Sequence, residues 1–455
     1  MNNKTLVLML FFVGSLISKE FFYVDYSCFR TESETMTRTD IFISIPIIYL
    51  DFDQNLTSMF SIKVMVYDKD KLIKEDRWKQ KYSISKEEDK YSGAEIPVMS
   101  KIELPPGYYK LVVEVEDINL GKKVDTLEVP QDSKMFMIAK FEDKFSVSTI
   151  QLASKIITDK ADEKSEFFKQ GVIILPNPSK IFGTNRPFVY YYAEIYGLNP
   201  NDDLEYCWTI LSNDGEEIRK GNVEKKKSTG KSMVIADRVS IPSFKTGAYN
   251  LILSIANKTG GKMIEGKNNF YIYRKIDFSG GKFKLPEEMK DITISGKDSI
   301  EFDIMKDDEI IAEYDQILST LEKKEQNKYT GLLLTGKREF LKKYWTERET
   351  KQENARENFK LLLQKINNEF STKKNEGWKT DRGRIFLKMG QPDKRDIETY
   401  NNEYADHEIW QYFSGNYTFV FADTHGLGDF KLIHSDYPGE KSNLNWETKI
   451  KKSKF

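Results

Sequence analysis

Apolar side chains follow three different periods along the chain. An unbroken apolar run at 5–17 comes first, preceded by Lys4 and followed by the charges of Lys19 and Glu20. From there to about residue 276 they mostly alternate with polar ones, the period of half-buried strands. Between about 306 and 370 they recur at three and four, as in an amphipathic helix. Short alternating runs then return up to about residue 440.

The run at 5–17 is shorter than the roughly 20 residues a bilayer helix needs, but it fits the apolar region of a secretory signal. Residues 1–18 are therefore expected to be a signal peptide cut near Ser18. No later apolar run reaches the length of a span, so the expected mature chain is exported, periplasmic or extracellular, with no transmembrane anchor.

One phrase occurs twice in the alternating region. Gly107, Tyr108 and Tyr109 open the strand Lys110 to Val115, as Gly247, Ala248 and Tyr249 open Asn250 to Ile255. A proline-containing turn precedes each copy. Period two puts Tyr109, Leu111, Val113 and Val115 on one buried face, and Tyr249, Leu251, Leu253 and Ile255 on another. Each copy has an upstream hairpin, one turning at Asp68, Lys69 and Asp70, the other at Asn213, Asp214 and Gly215. Gly-x-Tyr ahead of a strand resembles the corner of immunoglobulin-like and fibronectin-like modules, where a tyrosine pins the turn. Two tandem antiparallel β-sandwiches are predicted, at 21–145 and 146–276. The tyrosines Tyr190, Tyr191, Tyr192 and Tyr196 read as core or sheet-face packing, and 224–227 as a solvated loop.

A linker is expected at 277–305 and a helical segment at 306–371. Its stripe is Ile310, Tyr314, Ile317 and Leu321, then Phe340, Leu341, Tyr344 and Trp345, then Phe359, Leu363, Ile366 and Phe370. No proline interrupts it, and it is expected to cover a small α+β domain at 372–440. Residues 441–455 are basic and read as a frayed tail. The whole is a multidomain, mainly β chain with an α/β end.

Composition narrows the function. Lys plus Arg total 70 against 71 Asp plus Glu, so no net field draws the chain to nucleic acid. The two cysteines, Cys28 and Cys207, fall in different modules and are not expected to pair. All three histidines (His407, His425 and His434) lie late in the chain, but no two stand at i, i+4 spacing, so neither a metal nor any other cofactor is expected. The sequence carries no nucleophile elbow, no HExxH and no phosphate-cradling loop.

The late block holds the richest motif. Residues 377–393 read GWKTDRGRIFLKMGQPD. In physical terms Thr380, Asp381, Arg382 and Gly383 suit a β-turn, 384–389 a strand, and Gly390, Gln391, Pro392 and Asp393 a second turn. Further strands are expected at 408–412, 419–423 and 428–435. Trp378 and Trp410 are predicted to pack in the core against Ile385 or Leu387, with Asp381 and Arg382 at the surface. The motif, continued by these strands, resembles the signature of the GWxTD-domain family of bacterial exported proteins. The resemblance implies an exported protein with a β-rich front half and no assigned activity. The leading expectation is a non-catalytic envelope component for binding, adhesion or scaffolding. Its partner would be another envelope protein or a surface polymer. Candidate contact residues are Trp378, Thr380, Asp381, Arg382, Gly383, Gly390, Pro392, Asp393, Trp410, Asp423 and His434. The alternative is an exported hydrolase acting on peptide or glycan, which requires Asp381, Arg382, Asp423 and His434 to converge.

Overall fold

The alternating runs of the front half fold as β-strands. The computed structural model describes residues 21–452 except 34, 130–135, 142–143, 160, 184–185, 275–276, 278–300, 303–304 and 350. The expected leader and most of the expected linker lie outside the described residues. The chain divides into one unit running through Ile304 and a second made of Tyr91–Gly93 and Met305–Phe455.

In the first unit the opening strands are β1 (Tyr23–Arg30), β2 (Thr37–Pro46), β3 (Thr57–Asp68), β4 (Lys71–Ser83), β5 (Glu95–Leu104), β6 (Gly107–Asp117), β7 (Lys122–Val129) and β8 (Phe136–Ile138). They make two sheets, ordered β1-β2-β5 and β4-β3-β6-β7, with β8 against β6. Between them lies an apolar core that includes Ile41, Ile43, Ile62, Val64, Leu111 and Val113. Then come β9 (Ser146–Val147), β10 (Gln151–Ile157), β11 (Phe168–Lys169), β12 (Val172–Pro176), β13 (Ile181–Gly183), β14 (Phe188–Tyr196), β15 (Asp203–Ser212), β16 (Glu217–Lys220), β17 (Glu224–Lys227), β18 (Ser232–Ser240), β19 (Gly247–Asn257) and β20 (Lys262–Tyr273). Their sheets run β11-β12-β10-β14-β18 and β13-β20-β19-β15-β16. The β13–β20 pair is parallel, which departs from the wholly antiparallel expectation. The lysine-rich stretch at 224–227 is an exposed strand paired with β15 rather than a loop.

Both repeats end in the same corner. The Tyr109 hydroxyl donates to the Pro105 carbonyl at 2.9 Å, and the Tyr249 hydroxyl to the Lys245 carbonyl at 2.8 Å. Each phenol ties its strand to the turn four residues back. Cys28 and Cys207 are both buried and free.

The two sandwiches share a packed seam. On β2, Ile41 and Ile43 face one core, so Asp40 and Phe42 face the other way. That outer face meets the sheet containing β10 and β14. Phe29 packs with Ala153, Ile174 and Tyr192, and Phe42 with Met99 and Phe167. The first unit is thus a stack of four sheets. Charge is buried in its middle seam: Lys169 donates to Asp40 at 2.7 Å and to the Gln151 side-chain oxygen at 2.6 Å. Arg38 lies 3.3 Å from both Asp40 and Glu194, and the Tyr192 and Tyr196 hydroxyls donate to Glu194. Burial pulls the Lys169 ammonium down to about 8, against the opposing pull of Asp40.

The second unit begins with helices α1 (Asp307–Thr320), α2 (Lys323–Tyr329), α3 (Leu334–Glu349) and α4 (Ala355–Phe370). Glu313 of α1 is buried and accepts from Trp345 Nε1 at 2.6 Å and from Arg356 at 2.8 Å, tying α1 to α3 and α4. Helix α5 (Asp381–Met389) follows, then strands β21 (Lys394–Glu398), β22 (His407–Tyr412), β23 (Tyr417–Ala422) and β24 (Lys431–Ser435), and a short helix α6 (Trp446–Ile450). The four strands form one antiparallel sheet in sequence order. Helices α4 and α5 cover one face, packing Leu363, Ile366, Phe370, Ile385 and Phe386 onto Trp410, Tyr412, Phe419 and Phe421.

Candidate functional site

Residues 384–389 form helix α5, not the expected strand, and 380–383 form its start rather than a β-turn. Both periods fit so short a run: Ile385 and Leu387 alternate, while Ile385, Phe386 and Met389 fall on one helical face. The local chemistry decides. Thr380 is the N-cap; its hydroxyl accepts from the Gly383 amide at 3.1 Å and donates to the Gly377 carbonyl at 2.7 Å. Asp381 supplies the acid that favours a helix start, and Gly390, at φ +80°, closes the far end.

Each remaining residue of the motif fixes a joint. Gly377 lies in a 3-10 turn (Gly377–Lys379) so close to α4 that a Cβ would sit 2.2 Å from the Ile366 carbonyl oxygen. A Cβ on Gly383 would sit 1.9 Å from the Gly377 carbonyl oxygen, so both glycines are required by close backbone approach. Trp378 is buried, and its amide donates to the Asn367 side chain at 3.1 Å. Pro392 is buried, Gly390 accepts from the Tyr412 hydroxyl at 2.8 Å, and Asp393 accepts from the Phe413 amide at 2.7 Å.

Asp381 and Arg382 do not both stand free at the surface. The Asp381 carboxylate accepts from the Leu432 amide at 2.8 Å, capping the outer edge of β24. The Arg382 side chain is only 12% exposed, its guanidinium stacked 4.0 Å from the Phe430 ring centre and 2.6 Å from Glu408. Glu408, 4% exposed at its side chain, also accepts from Arg395 at 2.8 Å and from Trp410 Nε1 at 2.9 Å. Arg395 in turn pairs with Glu369 of α4. Burial pushes the Glu408 carboxyl up, but Arg395, Arg382 and Trp410 outweigh it and hold it below the ordinary glutamate range. Turns expose their polar residues, whereas a helix laid on a sheet buries its inward ones. That is why surface placement fails for Arg382.

Glu408 received no role from the sequence, although a signal was present. In alternation it shares a face with Trp410 and Tyr412, and a charge on an aromatic, buried face requires a partner. Arg395 and Glu440 were missed for want of any such local sign. Glu440 grips Arg384 through two bonds, at 2.6 and 2.8 Å.

The other candidates lie elsewhere. Asp423 directly follows β23, and its carboxylate gathers the Leu427 and Gly428 amides of the loop at 3.1 and 2.6 Å. His434 pairs across the ladder with Val420, on the sheet face opposite the one that Phe419 and Phe421 present to the helices. Asp381 and Arg382 are on the helical side, so the four residues do not converge on one cleft. Among the described residues, no group of three or more His, Cys, Asp or Glu side chains is placed to hold a metal. No described helix is long and apolar enough to cross a membrane.

Residues 309–452 match the family model of the GWxTD domain. A comparison with curated protein sequences finds no significant match. Among solved structures, red sea bream transglutaminase is 7% identical, with 56% of this chain and 31% of that chain covered and a TM-score of 0.16. The BSP domain of a biofilm-associated protein is 10% identical, with 58% and 53% covered and a TM-score of 0.17. This chain thus spans about a third and about half of those two chains, and superpositions this loose carry no argument.

Proposed function

Starting from the membership of residues 309–452 in the GWxTD-domain family, we propose that this protein is a non-catalytic bacterial envelope component that binds or scaffolds a partner. The observation that carries the reading is the internal use of the motif's charges. Arg382 of the motif is paired to Glu408, which also holds Arg395, with Glu369 balancing the second arginine, and Asp381 caps a sheet edge. A reacting group must reach substrate, and these side chains reach one another instead. The two packed sandwiches of the first unit, which carry no gathered set of reactive side chains in the described residues, suit a binding or scaffolding role. The apolar run at 5–17 supports export, and the partner would be an envelope protein or surface polymer.

The test uses the purified mature chain. Panels of peptide and glycan substrates are expected to show no turnover above buffer. Immobilised mature chain is expected to retain a defined envelope component at micromolar affinity or better. Turnover that Asp381→Ala abolishes while the circular dichroism spectrum is kept would overturn the reading. Export has its own test: N-terminal sequencing from the native host should begin near Lys19, and a chain still starting at Met1 contradicts it.

A further inference from the structure

The last segment of the chain is not the frayed tail its composition suggests. Residues 441–452 cross the sheet face that the helices leave open. Ile450 is 2% exposed and packs with Ala405, Ala422 and Ile433. The Ala405 amide donates to the Ile450 carbonyl and the Lys452 amide to the Glu403 carbonyl, both at 2.8 Å, and Tyr404 bridges Lys451. The rest of the segment is half-buried or exposed, with Leu444 at 85%.

Two buried histidines lie on that face, and they differ. His407 Nδ1 meets the Ala405 carbonyl at 2.9 Å, and its Nε2 lies 3.3 Å from Glu398. Both neighbours accept, so this ring keeps its contacts when charged. His434 Nδ1 instead accepts from the Asn443 backbone amide at 3.1 Å, while its Nε2 lies 3.3 Å from Asp436. A backbone amide only donates, so the Asn443 contact requires a bare Nδ1. A proton there removes the acceptor and sets two N–H groups against each other.

We infer that residues 441–452 form an acid-released strap, with protonation of His434 as the trigger and the Ala405, Ala422 and Ile433 patch as the surface uncovered. The charges around the ring set the direction. Asp436 follows His434 by two residues and attracts the imidazolium whether the strap is on or off. Glu398 belongs to His407, and Glu440 is held by Arg384. On β23, Val420 is the cross-strand neighbour, and Asp423 just after it is engaged with its own loop. Of the His434 contacts, only the one to Asn443 requires the strap to be seated, and a ligand shifts an equilibrium only through such a difference; Trp446 of the strap lies 6.2 Å from the His407 ring, a contact that ring keeps when charged. Imidazole is the side chain whose unperturbed charge change falls between about pH 5 and 8, so the test spans that range.

Hydrogen exchange on the full mature chain tests this at the Asn443, Lys452 and Ala405 amides, corrected for intrinsic rates. Loss of one amide contact and its replacement by repulsion lowers protection about tenfold between pH 7.5 and 5.5. In His434→Asn, whose side-chain oxygen takes the place of Nδ1 and does not titrate, protection is expected to stay within about twofold over the same range. Equal acid responses in the two proteins overturn the inference. So does flat protection in the wild type, which is decisive even if the variant does not fold.

Discussion

Thr380 shows how one hydroxyl decides an element. It is 3% exposed, and it satisfies an orphan amide of α5 while anchoring the preceding turn. Thr380→Ala is expected to lower the stability of the C-terminal unit by about 1–2 kcal/mol, read from urea unfolding, since both bonds go with the hydroxyl. Thr380→Ser should recover most of the loss. An alanine variant as stable as wild type would mean that the cap is dispensable. At this scale the sequence was readable where a residue acts through its own neighbours, as in the burial of Trp378 and Trp410 or the turns at Gly215 and Gly390, where the structure gives both glycines a positive φ. It was unreadable where the partner is remote. Nothing near Arg382 announces Glu408, 26 residues on, and nothing near Asp381 announces the Leu432 amide, 51 residues on.

Among the elements, the repeated corner was fully legible because its chemistry is local. Each tyrosine reaches a carbonyl four residues back, so the phrase carries its own geometry. Tyr109→Phe and Tyr249→Phe are each expected to cost the first unit about 1 kcal/mol, the net value of one part-buried hydrogen bond. Thermal melts should show similar losses at both sites, and an effect at one site alone would break the equivalence of the two corners. Helix α5 was misread for the opposite reason. Over nine residues the two apolar periods are hard to tell apart, and a Thr-Asp pair serves a turn and a helix start equally. The glycine pair was the overlooked clue. Two glycines six residues apart, at 377 and 383, are what a 3-10 turn wedged between two helices requires.

Across the whole first unit, the seam between the sandwiches joins two predicted modules into one stack, which no local pattern revealed. Lys169 and Asp40 stand 129 positions apart and meet only in three dimensions. Lys169→Met leaves buried Asp40 with only Arg38, 3.3 Å away, to offset its charge, and is expected to cost no more than about 3–5 kcal/mol. The pH dependence follows from the depressed Lys169. Between about 8 and its ordinary 10.5 the unfolded chain holds the proton and the folded chain does not. Stability therefore rises with pH in that window and loses this contribution as pH falls through 8. The raised Tyr192 and Tyr196 reverse the trend above about 10, because the unfolded phenols ionise first. Urea unfolding at pH 7.5, 8.5 and 9.5 should show the wild type gaining on Lys169→Met. Parallel curves would show that the ammonium is not strained in the seam.

In the C-terminal unit the central claim is that the motif's charges hold the fold together rather than serve a reaction. The most direct measurement is the unfolding free energy of that unit in Glu408→Gln, an isosteric change that removes one charge and leaves Arg382 and Arg395 facing each other. A loss of about 3–5 kcal/mol is expected, with folded-state enzyme assays unchanged from the wild-type baseline. A variant that melts with the wild type but has lost a measurable activity would contradict the account.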